Sequence, residues 1–200
     1  MRDGLHVLHV VRLAKQLAET VVREYLKNVV KTTAERRWSM EEAPGNDVVR
    51  LLSVRLLDDK GELARQFDVR EAVTVEFRYR VASEGHQIYS HLQLEKGPGT
   101  HVLTSFDDYV REPWGSGAPH PAGDFVSTCT IPGDLLNEGE YGVHLRIFST
   151  PTLGVAVQAI DVVQFSVLDR MDPDGARGSF PYDWGVPAVR PFLKWHRQRA

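Results

Sequence analysis

Cysteine is all but missing from this 200-residue chain, in which Cys129 stands alone. One thiol cannot build an intrachain disulfide framework or a Cys-based zinc cluster. Set within a run that reads as a strand, it is expected to be buried and inert. Long apolar runs are missing too: no stretch approaches the roughly 18 consecutive apolar residues that span a bilayer. The run near the N-terminus is broken by His6, His9 and Arg12, and it lacks the small-residue cleavage site of a secretory leader. The chain is therefore expected to be soluble and cytoplasmic, without direct membrane insertion. A basic excess is absent as well. Lys and Arg number 24 against 27 Asp and Glu, for a net charge of −3, which excludes a nucleic-acid binder driven by phosphate contacts.

The motifs of common catalysts are lacking. There is no G-x-x-x-x-G-K-[ST], no G-x-S-x-G, no H-E-x-x-H and no G-x-G-x-x-G. Gly97-Pro98-Gly99 has no following Lys-Ser/Thr and reads as a hairpin turn. The eight histidines are scattered. His6 and His9 are three apart on an expected helix, but no carboxylate stands in register with them, so no metal site is expected. Asp107 and Asp108 are neighbours on an expected strand end and point to opposite faces, so they do not converge as an acid/base pair. An enzyme acting on glycans would need one of them to line a pocket with a second acid. No cofactor is expected.

What the chain does have is pattern. The apolar share of 42% and charged share of 26% are those of an ordinary soluble domain. Residues 5 to about 36 read as an amphipathic helix. Leu8, Val11, Ala14, Ala18, Val22, Tyr25 and Val29 recur at spacings of three and four. The expected organisation is a helical connector over 1–38, a linker over 39–46, and a β domain over 47–200. From Val48 onward, short Val-, Ile-, Phe- and Tyr-rich runs alternate with Gly, Pro, Asp and Asn clusters. Strands are expected at about 47–58, 62–67, 72–82, 87–96, 100–107, 123–131, 140–148, 155–159 and 160–168. Asp58-Asp59-Lys60-Gly61 reads as a turn between the first two. The run Val73 to Val81 is apolar at every odd position, which marks a half-buried strand with one wet face. Many such strands point to a mostly β chain folded as an antiparallel β-sandwich, with a jelly-roll-like arrangement as a variant.

Three passages resemble one family, the C-terminal glycan-recognition domain of the ATP-binding subunits of Wzt-type O-antigen polysaccharide ABC exporters. The first is the opening strand and turn, Val48 to Gly61, with the alternating strand at 72–82. The second is Ile131-Pro132-Gly133-Asp134-Leu135-Leu136-Asn137-Glu138-Gly139-Glu140-Tyr141, similar to the family's I-P-x-x-L-L-x-x-G-x-Y link. The third is Gly185-Val186-Pro187-Ala188-Val189-Arg190-Pro191-Phe192-Leu193-Lys194-Trp195, similar to its G-V-V-R-P-x-L-x-W ending. The run Glu19 to Lys27 looks like the helix that joins ATPase and glycan domains in such exporters. The resemblance implies an immunoglobulin-like sandwich that binds a bacterial polysaccharide and forms a homodimer by exchange of its C-terminal strand. The exchange segment would lie within 180–200 and use Val189, Arg190, Pro191, Phe192, Leu193 and Trp195. The implied partners are an exporter ATPase and its membrane subunit at the inner face of the inner membrane. With no phosphate loop and no ABC signature in this chain, the ATPase would sit on a separate domain or chain.

The period-2 pattern also nominates a sugar-binding face. Sugar sites pair planar rings with groups that bond hydroxyls. In the strand at 87–96, Tyr89, His91 and Gln93 share the side opposite Ile88, Leu92 and Leu94. In the strand at 140–148, His144, Arg146 and Phe148 lie opposite Tyr141, Val143, Leu145 and Ile147. Gln164 lies opposite Val163 and Phe165. An immunoglobulin-like order makes these three strands neighbours, so Tyr89, His91, Gln93, His144, Arg146 and Gln164 would form one patch. Trp114, in a Pro/Gly-rich loop, is a candidate platform at its rim. Arg78, Arg80 and Glu76 lie outward on the other sheet and read as a salt-bridged surface. The expected function is non-catalytic recognition of a surface polysaccharide; the alternative is a protein-interaction sandwich without a sugar ligand.

Overall fold

The computed structural model of the chain describes residues 34–97, 99–107, 118–150, 154–170, 187–191 and 193–198. In chain order the strands are β1 (Glu35–Arg37), β2 (Val49–Leu57), β3 (Gln66–Asp68), β4 (Val73–Val81) and β5 (Ile88–Lys96), then β6 (Thr100–Phe106), β7 (Gly123–Ile131), β8 (Gly139–Ser149) and β9 (Gly154–Leu168). They form two sheets, ordered β1-β2-β4-β7 and β3-β9-β8-β5-β6. Pairing is antiparallel except between β3 and β9.

The alternation in β4 has the expected result. Val73, Val75, Phe77, Tyr79 and Val81 are all buried, while Thr74, Glu76, Arg78 and Arg80 face away from the core. They meet Leu92, Leu94, Val143, Leu145 and Phe165 of the facing sheet in one apolar cluster. Burying a side chain of this size contributes about 1.5–3 kcal/mol, so the inward rows of β2, β4, β5, β8 and β9 fix the register. A one-residue slip would turn every one of these side chains to water. Phe165 packs edge-on to Phe67 at 5.6 Å and stacks on Tyr141 at 5.4 Å. The Tyr141 hydroxyl, at the root of β8, donates to the carbonyls of Asn137 (2.6 Å) and Ala188 (2.9 Å). Burial pushes its pKa up to about 12.

Several boundaries differ from expectation. Residues 34–46, read as a helix end and linker, belong to the sandwich: β1 pairs with β2, and Ala43 is buried. Three charged edge residues carry no period, which is why the strand was invisible in the sequence. The helix expected over the preceding residues lies outside the described residues. The turn at Asp58 forms, with its carboxylate accepting the N–H groups of Lys60 and Glu62 at 2.9 and 2.8 Å. The strand expected over 62–67 does not follow as a hairpin. Only Leu63 bridges back to Leu57, and the chain then crosses to pair as β3 on the other sheet, burying Phe67. The strands expected at 155–159 and 160–168 are one strand, β9. A bulge opposite His144 interrupts its register between Ala159 and Val163, with Asp161 in the left-handed region at φ 45°.

Candidate functional site

Three strands of the five-stranded sheet, β9, β8 and β5, lie side by side, and their register builds the nominated face row by row. Tyr89 stands opposite Phe148, His91 opposite Arg146, and Gln93 opposite His144. Gln158 extends the Arg146 row, and Gln164 stands opposite Gly142 one row beyond His144. The edge strand β6 adds Phe106 beside His91 and Thr104 beside Gln93.

The polar groups are held by one another. Arg146 donates to Gln93 Oε1 at 3.3 Å, and Gln93 Nε2 donates to Glu95 Oε1 at 3.0 Å. The Asp161 backbone N–H donates to His144 Nδ1 at 3.3 Å, which fixes the neutral ring as the Nε2–H tautomer. That Nε2 lies 3.5 Å from a Glu95 oxygen and 3.6 Å from Asp161 Oδ1. The bulge in β9 folds the Asp161 carboxylate over the β8 backbone at Gly142, where a Cβ would stand 2.3 Å from Oδ1. Glycine here lets the Asp161 carboxylate lie close to the strand; a side chain would have to push it aside.

His91 plays a different part. Its ring stacks on Phe106 at 4.7 Å and meets Phe148 at 6.3 Å, and neither ring nitrogen has a partner. Burial, then the nearby Arg146 and His101, hold its pKa below the usual value. It is a neutral plank between two phenylalanines, leaving Phe106 as the open ring at 47% exposure. The face thus offers an apolar ring beside a guanidinium, an amide and two carboxylates, with Tyr89 tied to Gln87 at 3.1 Å. Among the described residues, no group of three His, Cys, Asp or Glu side chains is placed to hold a metal ion.

A crystal structure of the C-terminal domain of Wzt aligns with 82% of this chain and 89% of its own, at a TM-score of 0.58 and 12% identity. The fold is that of the Wzt C-terminal domain. Two structures of a β-glucosidase from Listeria innocua, bound to glucose and to gluconolactone, each align over 57% of this chain and 16% of theirs. Their TM-scores are 0.32 and 0.31, at 13% identity. No protein-family model and no curated protein matches the sequence.

On this Wzt-like sandwich the nominated residues fare unequally. Arg146, Gln93 and Glu95 are bonded in a chain, His144 stands 3.5 Å from Glu95, and His91 lies beside them as support. Tyr89 lies at one end and Gln164 at the other. Trp114 and Phe192 lie outside the described residues. Phe106, Phe148, Glu95, Asp161 and Gln158 complete the face and were not nominated. The alternation already turned Phe148 outward, but pairing a long side chain across strands needs the register.

The tail lies against the same molecule. Val189 bridges Leu136, the Arg190 N–H donates to the Leu135 carbonyl at 2.7 Å, and the Arg190 guanidinium pairs with Asp169 at 2.6 Å. Both of those side chains are 6% exposed. Beyond Pro191, Leu193 is 64% and Trp195 92% exposed. On the other sheet the charges pair as expected in kind, with Arg55 on Glu76 at 3.1 Å and Arg80 on Asp124 through two bonds. Arg37, Trp38, Met40 and Arg78 line a shallow groove there of about 250 Å³. Among the described residues no helix is long and apolar enough to cross a membrane.

Proposed function

We propose that this chain is a non-catalytic carbohydrate-binding domain that recognises a bacterial surface polysaccharide of the O-antigen type and serves its export by an ABC transporter. The observation that carries the reading is the strip of Arg146, Gln93 and Glu95, bonded in a chain with His144 beside Glu95, next to the open ring of Phe106. A sugar presents a weakly polar C–H face and a rim of hydroxyls, and the strip supplies a ring for the first and charged donors and acceptors for the second. The likeness to the Wzt C-terminal domain supports the same reading, as does a strand order that fits an immunoglobulin-like sandwich with β5, β8 and β9 in one sheet. The domain would work at the cytoplasmic side of the inner membrane, beside an ATPase and a membrane subunit.

Homodimerisation belongs to the same proposal. Residues 187–190 form backbone bonds that a second copy's tail can make equally well, and the exposed Leu193 and Trp195 favour a partner surface. That exposure also motivates the second reading, a protein-interaction module without a glycan.

Isothermal titration against the surface polysaccharide of the source organism, with an unrelated polysaccharide as control, tests the function. Saturable heat with the first alone is expected. Loss of that heat in a Tyr89→Ala, His91→Ala, Arg146→Ala variant that keeps its oligomeric state separates the readings. No heat with either polysaccharide would leave the interaction module.

A further inference from the structure

The two sheets do not close evenly. Between the edge strands β6 and β7 lies a cleft of about 250 Å³ whose lining includes Ser90, Ser105, Ser127, Asp107, Phe77 and Phe106. The serines occupy core-facing positions. Ser90 continues the inward row of Ile88 and Leu92 on β5, Ser105 stands opposite Leu92, and Ser127 stands opposite buried Phe77. Such positions favour apolar side chains, because a buried hydroxyl needs a partner; Ser127 has one in Tyr79 and Ser105 in Cys129, which leaves Ser90. Ser90 is only 3% exposed, and its Oγ makes no hydrogen bond of good geometry, although it lies beside the Asp107 carboxylate and lowers its pKa somewhat. Asp107 accepts the Ser90 backbone N–H at 2.7 Å, which aims the carboxylate into the cleft. Burial raises its pKa above the usual carboxylate range.

We infer that this cleft is a binding site for one neutral polyhydroxylated ring, a single monosaccharide unit. A water's share of liquid volume is about 30 Å³, so the space exceeds a lone water, while it falls just short of the roughly 300–1,000 Å³ of drug-sized sites. A ring of hexose size suits it. Hydroxyls donate to a carboxylate in charge-assisted bonds, and serine hydroxyls both donate and accept. Phe77 and Leu92 supply apolar wall for the C–H face. Among the described residues the lining holds one carboxylate, that of Asp107, and no cationic side chain, which disfavours acidic sugars. The inference goes beyond the outer-face reading and stands on the cleft's own chemistry.

The test is amide NMR of the full chain titrated with free glucose, galactose, mannose, rhamnose and N-acetylglucosamine. Saturable shifts at Ser90, Asp107, Ser127 and Cys129 are expected with at least one sugar, with affinity on the order of millimolar for so small a ligand. Ser90→Ala and Ser127→Ala should each weaken it about tenfold, and Arg80→Ala, on the outer face of the β1-β2-β4-β7 sheet, should leave it unchanged. Should Ser90→Ala fail to fold, Ser105→Ala on the edge strand carries the same expectation. Shifts confined to Gln93, His144 and Arg146 would overturn the cleft and leave the outer face standing. No saturable shift with any of the sugars, or cleft shifts unaffected by the serine variants, would show a slot that holds water alone.

Discussion

The outer faces of the two sheets both display arginine, yet they treat it differently. On the β1-β2-β4-β7 face, Arg55 and Arg80 are matched by the carboxylates of Glu76 and Asp124 across the strands. The Arg80 pair holds the Asp124 carboxyl below its usual range. On the β9-β8-β5-β6 face, Arg146 meets an amide, Gln93, while the carboxylates of Glu95 and Asp161 turn toward His144. A charge already neutralised by a neighbour has little to offer a ligand. A guanidinium held in place by a neutral amide keeps its charge and most of its donors. This contrast between matched and positioned charge is the one expected between a solvated surface and the proposed recognition surface.

Substitutions can break the contrast. The largest effect is expected from Arg146→Ala. Hydrogen bonds to charged groups contribute about 1.5–3 kcal/mol, so polysaccharide affinity by titration calorimetry should fall tenfold or more with little change in melting temperature. His91→Ala should cost about 1–3 kcal/mol of stability in denaturant unfolding, since it removes the ring between Phe106 and Phe148. His91→Phe should keep the stack and alter the pH response. The folded-state pKa of His91 lies below its usual 6.5, so the unfolded chain takes up the proton first as pH falls. The wild-type domain therefore loses stability between 6.5 and the lower folded value. Thermal melts on either side of 6.5 should show a shallower loss in His91→Phe, with buried His120, shifted in the same direction, supplying the remainder. Gly142→Ala sharpens the comparison further. Its Cβ displaces the half-exposed Asp161 carboxylate from His144, so affinity should drop roughly threefold while the fold persists by circular dichroism. Arg80→Ala and Arg78→Ala, on the matched face, should leave polysaccharide affinity unchanged. A loss there equal to that of Arg146→Ala would erase the distinction between the faces.

The sequence shows which side a residue takes more readily than what that residue meets. The strict alternation of β4, and the inward rows of β5 and β8, were legible because a period of two follows from strand geometry itself. Tyr89, His91, Gln93, His144 and Arg146 were placed on one face by that reasoning, and the register agrees. Strand β9 was read as two because its bulge at Asp161 breaks the alternation, and that same bulge brings an unnominated carboxylate to His144. The surroundings of His91 escape the sequence for a related reason. Alternation turns it outward, but only the neighbouring strand shows that it lies between Phe106 and Phe148 with its nitrogens unused. Strand β1 left no trace, because three residues are too few for a period.

The forked hydrogen bond of Tyr141 carries one more consequence. A single hydroxyl holds the start of β8 and the tail at Ala188 together. A tail lent to a second copy must be replaced there by the partner's own carbonyl, or Tyr141 keeps one acceptor instead of two. The proposed self-association and the proposed ligand capture would then share a strand, since β8 also carries His144 and Arg146. If the proposed dimer holds glycan more tightly than the single chain, glycan strengthens the dimer by the same factor. Glycan affinity would depend on protein concentration, and a Tyr141→Phe chain would lose that dependence.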